Sequence, residues 1–143
     1  MSNNSYLQLK EKHQQETNNF PMMFAFSDKQ FEEGMQKLGL TATDTDKIYS
    51  LSGTGGFYKR TDAEALHKMF KNHEEEMKQS INNSEGFIFD MFNYELANHE
   101  YTYTGEVDQT LDALGLTIEE IHNNKKLLHG LQKACKYQKD NDY

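Results

Sequence analysis

Proline and cysteine occur once each in this chain, and tryptophan does not occur at all. A lone cysteine, Cys135, excludes a disulfide scaffold, and nine glycines with one proline exclude a collagen-like chain. No apolar run approaches the roughly 20 residues that span a bilayer. Valine occurs once and isoleucine five times, which leaves few β-branched residues for a large sheet. Positive charge is also scarce: 15 Lys and Arg stand against 23 Asp and Glu, a net charge of −8. That balance argues against bulk binding to nucleic acid or to an anionic membrane, both of which need a positive field. The segment Met1–Ser5 has no basic stretch followed by an apolar one, so no secretion signal is visible. One free thiol and seven Met fit a reducing interior. The expected location is cytoplasmic, with the Asn-x-Ser triplets at Asn3 and Asn82 as chance matches.

What the chain does have is aromatic residues: 8 Tyr and 9 Phe in 143 residues. Rings bury enough area to offset chain entropy, and disordered chains lack them. We therefore expect one folded domain over 1–143 with a thin core rich in aromatics and Met. Residues 1–19 are expected to include a loosely docked N-terminal helix, and 138–143 a disordered tail. Lys, Glu, Gln, Leu and Met are plentiful, so helix should be the majority state. The expected fold class is α+β, helices packed on a small, mostly antiparallel sheet.

Local signals place the elements. Ser5 with Gln8 has the spacing of a capping box and predicts a polar helix over 5–16. Phe20–Phe26 reads as a short strand opened by Pro21. Ser27 with Gln30 predicts a helix start, and Phe31, Met35 and Leu38 form one buried stripe behind it. Lys47–Leu51 and Phe57–Arg60 read as strands joined by Ser52-Gly53-Thr54-Gly55-Gly56 in a β-hairpin. Thr61 with Glu64 predicts a helix near 62–80, its stripe formed by Leu66, Met69, Phe70, His73, Met77 and Ile81. Residues 85–98 fit either period, and their length favours helix. Tyr101–Thr104 alternates like a strand. Thr117 with Glu120 opens a final helix. Ile118, Ile121, Leu128, Leu131 and Cys135 share its apolar stripe, with His122, Lys125, Lys126, His129, Lys133 and Lys136 opposite.

Two longer-range patterns stand out. Phe24-Ala25-Phe26-Ser27 followed by Phe31, Met35 and Leu38-Gly39-Leu40-Thr41 is echoed by Tyr101-Thr102-Tyr103-Thr104 followed by Val107, Leu111 and Leu114-Gly115-Leu116-Thr117. Leu-Gly-Leu at a helix end is ordinary chemistry, since Gly takes the left-handed conformation and the next Leu packs back. An old duplication is the alternative. Charge is also uneven: residues 87–117 sum to −6 with no Lys or Arg, and carry six aromatics. An acidic, aromatic segment followed by a basic helix face suits a protein partner, or self-association into a homo-oligomer.

Candidate chemistry is sparse. The loop Gly53–Gly56 with Lys59 and Arg60 invites a phosphate reading, but no Gly-Lys-Ser/Thr follows and no helix N-terminus comes next. A flexible hairpin loop without an apolar anchor is the expectation, with Lys59 and Arg60 as a small anion contact at most. Glu95 and His99, at i, i+4 with Glu100 beside them, suit an acid–base pair or two metal ligands. A zincin motif is lacking and no third ligand is identifiable, so a structural Glu95–His99 pair is expected. Cys135 on the apolar stripe should be a buried, inert thiol. Asp44-Thr45-Asp46 begins like a Ca²⁺ loop but lacks the Gly and the closing Glu. No catalytic constellation is complete, and no cofactor or metal is implied.

The strings Phe24-Ala25-Phe26-Ser27, Lys47-Ile48-Tyr49-Ser50 with the Gly-rich loop, Tyr94–Tyr101 and Asp112–Leu116 resemble an uncharacterised family of small acidic proteins. Its members are encoded by gut bacteria and by their phages and mobile elements. The resemblance covers roughly residues 20–120 and implies a genomic setting rather than an activity. The leading expectation is a non-enzymatic accessory protein acting by protein binding, with an acidic surface of the kind that imitates the charge of DNA. A small metal-dependent or acid–base enzyme centred on Glu95 and His99 is the rival. A nucleic-acid-linked regulator using Lys59, Arg60 and the basic helix face is a third reading.

Overall fold

A computed structural model describes residues 4–141. Its helix-dominated α+β architecture agrees with the expected fold class. The helices are α1 (Ser5–Asn18), α2 (Asp28–Lys37), α3 (Ala63–Asn83), α4 (Glu85–Asn98), α5 (Tyr101–Thr104), α6 (Asp108–Leu114), α7 (Ile118–Asn123) and α8 (Lys125–Asp140). The strands are β1 (Met22–Phe24), β2 (Ile48–Leu51) and β3 (Gly56–Lys59). The chain divides into two compact units, one of residues 13–75 and one of residues up to 12 together with those from 76 onward.

The 13–75 unit holds the sheet. Its order is β1-β3-β2 and both pairings are antiparallel, so the hairpin partner β3 is central and Pro21 precedes an edge strand. Met23 lies opposite Phe57, and Phe57 opposite Ser50. Met23 and Ile48 point to one face and form a small core with Met35 of α2 and with Leu38 just after it, while Phe31 meets Phe57 edge-on at 5.4 Å. Helix α2 gets this close because residue 34 is glycine; a Cβ there would lie 2.6 Å from Met23 Sδ. Ser27 Oγ accepts from Gln30 N at 3.2 Å, as its spacing implies, while the Gln30 side chain accepts from Phe26 N at 2.8 Å. Gly39 ends the helix at φ +78, with Leu40 N donating to Met35 O at 2.8 Å. A 3₁₀ turn over Arg60–Asp62 leads straight into α3.

The other unit is built around α4, which is apolar nearly all round and buries Phe87, Ile88, Met91, Phe92 and Leu96. Ser84 caps it by accepting from Phe87 N at 3.1 Å. The ambiguous stretch 85–98 is thus helical: apolar side chains spread over every face, as in α4, show no clear period in the sequence. Helix α8 packs against α4, with Gly130 of α8 directly over Ile88. Tyr101, Leu111, Ile121, Leu127 and Leu131 complete the core. From α1, Tyr6 packs edge-on against Phe87 at 6.0 Å.

Three local expectations need correction. The start of α1 is not a Ser5–Gln8 box: Asn4 Oδ1 accepts from Leu7 N, while Asp90 of α4 accepts from Ser5 N at 2.9 Å and Ser5 Oγ at 2.7 Å. That anchoring, with Tyr6 buried, holds the part of α1 up to residue 12 within this unit. Residues 101–104 form one helical turn rather than a strand, because Glu100 at φ 58 and Gly105 at φ 70 both take the left-handed conformation and close the chain at each end. The final helix is two helices. Asn124 leaves the helical conformation and caps α8 through Lys126 N and Leu127 N. The break shifts the helical phase, so Leu127 rather than Leu128 is buried and Ile118 is 50% exposed. Of the stretch 138–143, residues 138–140 lie within α8 and Gln138 bonds Asn93; residues 142 and 143 lie outside the described residues. The Thr117–Glu120 capping box does form.

The internal echo reduces to a shared helix ending. Gly115 at φ +67 and Leu116 N donating to Leu111 O at 2.9 Å repeat the geometry at Gly39. The strand half is not repeated, since 22–24 is a strand and 101–104 is helical.

Candidate functional site

The Glu95–His99 pair is where sequence reasoning looked first. Glu95 is 3% exposed, turned into the core by its place on α4 between Met91 and His99. Its carboxylate takes a hydrogen bond from the Tyr6 hydroxyl, and its Oε1 lies 3.9 Å from Lys10 Nζ. Burial first, then the Glu95 charge and that hydrogen bond, push the Tyr6 hydroxyl far above its ordinary value. The Lys10 ammonium also sits over the rings of Tyr6 at 5.8 Å and Tyr94 at 5.4 Å. His99 instead ends α4, its backbone N–H donating to Glu95 O at 3.0 Å. Their i, i+4 link is thus a backbone one, and among the described residues the side chain of Glu95 is paired with Tyr6 and Lys10 rather than His99. Glu100 is a turn residue, its carbonyl accepting from Tyr103 N and Thr104 N at 3.0 and 3.1 Å.

Lys59 and Arg60 belong to the 13–75 unit, and Glu95, His99 and Glu100 to the other. Arg60 Nε donates to Ile48 O at 3.2 Å, and its guanidinium lies 4.6 Å from the Tyr49 ring centre, so it clasps the ends of the hairpin strands. Lys59 is half-buried at the end of β3. The hairpin loop has an apolar anchor after all: the Phe26 ring covers Gly55, where a Cβ would stand 2.5 Å from it. Thr54 Oγ1 donates to Leu51 O at 2.7 Å and accepts from Gly56 N at 3.1 Å. Asp44 likewise serves its own loop, accepting from Thr41 N and Thr41 Oγ1 at 2.9 and 3.1 Å. The Thr41 backbone bond holds its carboxyl below the usual range.

The acidic, aromatic stretch 87–117 is divided between the core and the surface. Phe87, Phe92 and Tyr101 are core residues, and Asp90 and Glu95 are committed to α1. Glu100, Glu106, Asp108 and Asp112 remain exposed with Tyr103. His122, Lys125, Lys126, His129, Lys133 and Lys136 are all exposed, as the helical spacing implies. Burial raises the Cys135 thiol, which fits an inert group, and Tyr101 bonds it.

Two features escaped the sequence reading. The first is a groove of about 440 Å³ along the outer side of β1, lined by Met22, Phe24 and Phe26 and by Gln30, Glu33 and Lys37 of α2. Phe24 is 52% and Phe26 79% exposed. The bond from Ala25 N to Gly55 O, 3.0 Å, sets the ladder's phase and turns the backbone N–H and C=O of Phe24 to the open edge. Its signal was the Phe-x-Phe at 24 and 26, which read as core because exposure depends on what covers a strand.

The second is a cluster of His13, Glu16 and His73, whose donor atoms all lie within 4.8 Å of one another. Position 13 and position 16 are neighbours on one face of α1. His73 reaches the same place from α3, its ring stacked on that of His13 at 4.0 Å and 17°. His73 Nε2 is 3.8 Å from Glu16 Oε2. These are the residues that could hold a metal. A histidine on the apolar stripe of α3 was the available clue, but its partners are about 60 residues away in sequence.

Residues 5–137 match the model of a family of unknown function, DUF7659, and the chain belongs to that family. No curated protein and no solved structure matches it. Among the described residues no helix is long and apolar enough to cross a membrane.

Proposed function

We propose that this is a non-enzymatic accessory protein, of the kind carried by phages and mobile elements of gut bacteria, that binds another protein in the cytoplasm. The observation that carries the reading is the open edge of β1, flanked by the exposed rings of Phe24 and Phe26. Exposed aromatic groups beside unpaired strand edges mark interaction sites, since both the apolar area and the backbone groups gain from a partner. The occupant this groove suits is an extended peptide segment that adds to β1 as a further strand. Backbone bonds to Phe24 would supply affinity, and alternate apolar side chains would rest on Met22, Phe24 and Phe26. Glu33 and Lys37 on the α2 wall would select for complementary charges.

Selection from a displayed library of random extended peptides tests this. Selected peptides should bind the purified protein in calorimetry, lose about tenfold or more affinity against Phe24→Ala/Phe26→Ala, and slow amide exchange at residues 22–26. Selection of no binder, or of peptides whose affinity the double variant leaves unchanged, would refute the proposal.

A further inference from the structure

We infer that His13, Glu16 and His73 form a binding site for one divalent first-row transition metal, with zinc as its natural probe. Two imidazoles and a carboxylate are the donor set of open, three-ligand zinc sites and of other facially coordinated metals. The site is built on helices, α1 supplying His13 and Glu16 and α3 supplying His73, which fixes the backbone positions of all three. The Nε2 atoms of both histidines are shielded from solvent, and His73 Nε2 makes no hydrogen bond to a protein group. The His73 side chain is only 13% exposed, while Glu16 at 43% stands at the rim. Phe70 packs edge-on against His73 at 6.3 Å and limits its rotation.

The distances suit capture. Ligand bonds of about 2.0–2.2 Å place donor atoms roughly 3–3.5 Å apart. The three donors span up to 4.8 Å, so modest side-chain rotation that splays the stacked rings closes the sphere without moving either helix. The Glu16 carboxylate supplies charge that offsets the cation, and a fourth position at the Glu16 rim stays open to water or to a ligand from a partner. Nitrogen donors discriminate against Ca²⁺ and Mg²⁺, which prefer oxygen. It is the one group of this kind among the described residues, and it is independent of the groove on β1.

The test is titration of the chelator-stripped full chain with Zn²⁺ in competition with a chromophoric chelator. One Zn²⁺ per chain is expected, with Mg²⁺ and Ca²⁺ failing to compete. Loss of even an outer-shell partner costs about 10–100-fold in metal affinity, so His73→Ala and His13→Ala should weaken binding by at least about tenfold. His99→Ala should leave it unchanged. Glu16→Gln, at an exposed position that does not endanger folding, keeps the test decisive where a histidine variant fails to fold; it too should weaken Zn²⁺ binding. Co²⁺ should give visible ligand-field bands that vanish in the same variants. Sub-stoichiometric binding, or binding that Glu16→Gln and the histidine variants leave intact, would overturn the inference.

Discussion

Replacing Gly130 by alanine pits helix propensity against packing. Position 130 lies inside α8, where alanine is favoured over glycine by about 1 kcal/mol. Propensity alone therefore predicts a more stable protein. The structure predicts the reverse, because a Cβ at 130 would lie 2.3 Å from Ile88 Cγ2 and 3.3 Å from Ile88 Cβ. Ile88 is fully buried and sits on the central helix of its unit, so it has no solvent to swing into. Overpacking of this kind costs about 1–3 kcal/mol. After the propensity gain, the expected net loss is about 1–2 kcal/mol, read as a lower urea midpoint with unchanged slope. Ile88→Ala alone should cost about 2–5 kcal/mol. The double variant should cost less than the sum, since the new methyl occupies space that Ile88 vacates. A Gly130→Ala protein more stable than the parent, or strict additivity in the double variant, would refute the close α4–α8 contact.

Gly55→Ala should destabilise the protein by about 1–2 kcal/mol, because Gly55 holds φ +75 and the Phe26 ring covers it; a urea titration checks this, and an unchanged midpoint would mean the hairpin turn is not built this way. Asn124→Ala removes the cap of α8 and should cost about 1 kcal/mol, seen as a lower thermal midpoint by circular dichroism. Stability should fall as pH rises above the unfolded-state values of 9.0 for Cys135 and 10.0 for Tyr6. Folding raises both groups, so the native state keeps protons that the unfolded chain releases; their contribution is complete below those values and is lost as pH climbs toward the folded ones. Urea midpoints at about pH 8 and about pH 10.5 bracket the unfolded values, and Tyr6→Phe should flatten the decline; an equal decline in that variant would remove Tyr6 from the explanation.

Much of the local structure is written in short-range chemistry. Ser27, Ser84 and Thr117 cap helices because a side-chain oxygen needs only a backbone N–H three residues on. Gly39 and Gly115 end helices because only glycine takes positive φ without strain. The hairpin over 48–59 follows from two short apolar runs with glycines between. Some local patterns have two solutions, between which only packing chooses. Asn124 reads as an ordinary polar position in a long helix, yet as a cap it divides the helix and changes which leucine is buried.

The amino-acid sequence by itself determined the α+β class, several helix starts, the hairpin and the exposed basic face of α8, since each depends on residues within a few positions of one another. Only the tertiary structure decided what the candidate functional residues do. Glu95 faces Tyr6 and Lys10 rather than His99 because α1 docks on α4, a contact that spans more than 80 residues of chain. Asp90 serves as an anchor for α1 for the same reason. His13 and Glu16 meet His73 only once the fold of the 13–75 unit brings the C-terminal half of α1 within side-chain reach of α3. Phe24 and Phe26 are surface rather than core because β1 is an edge strand. Periodicity says which side chains share a face, and packing alone says what that face meets.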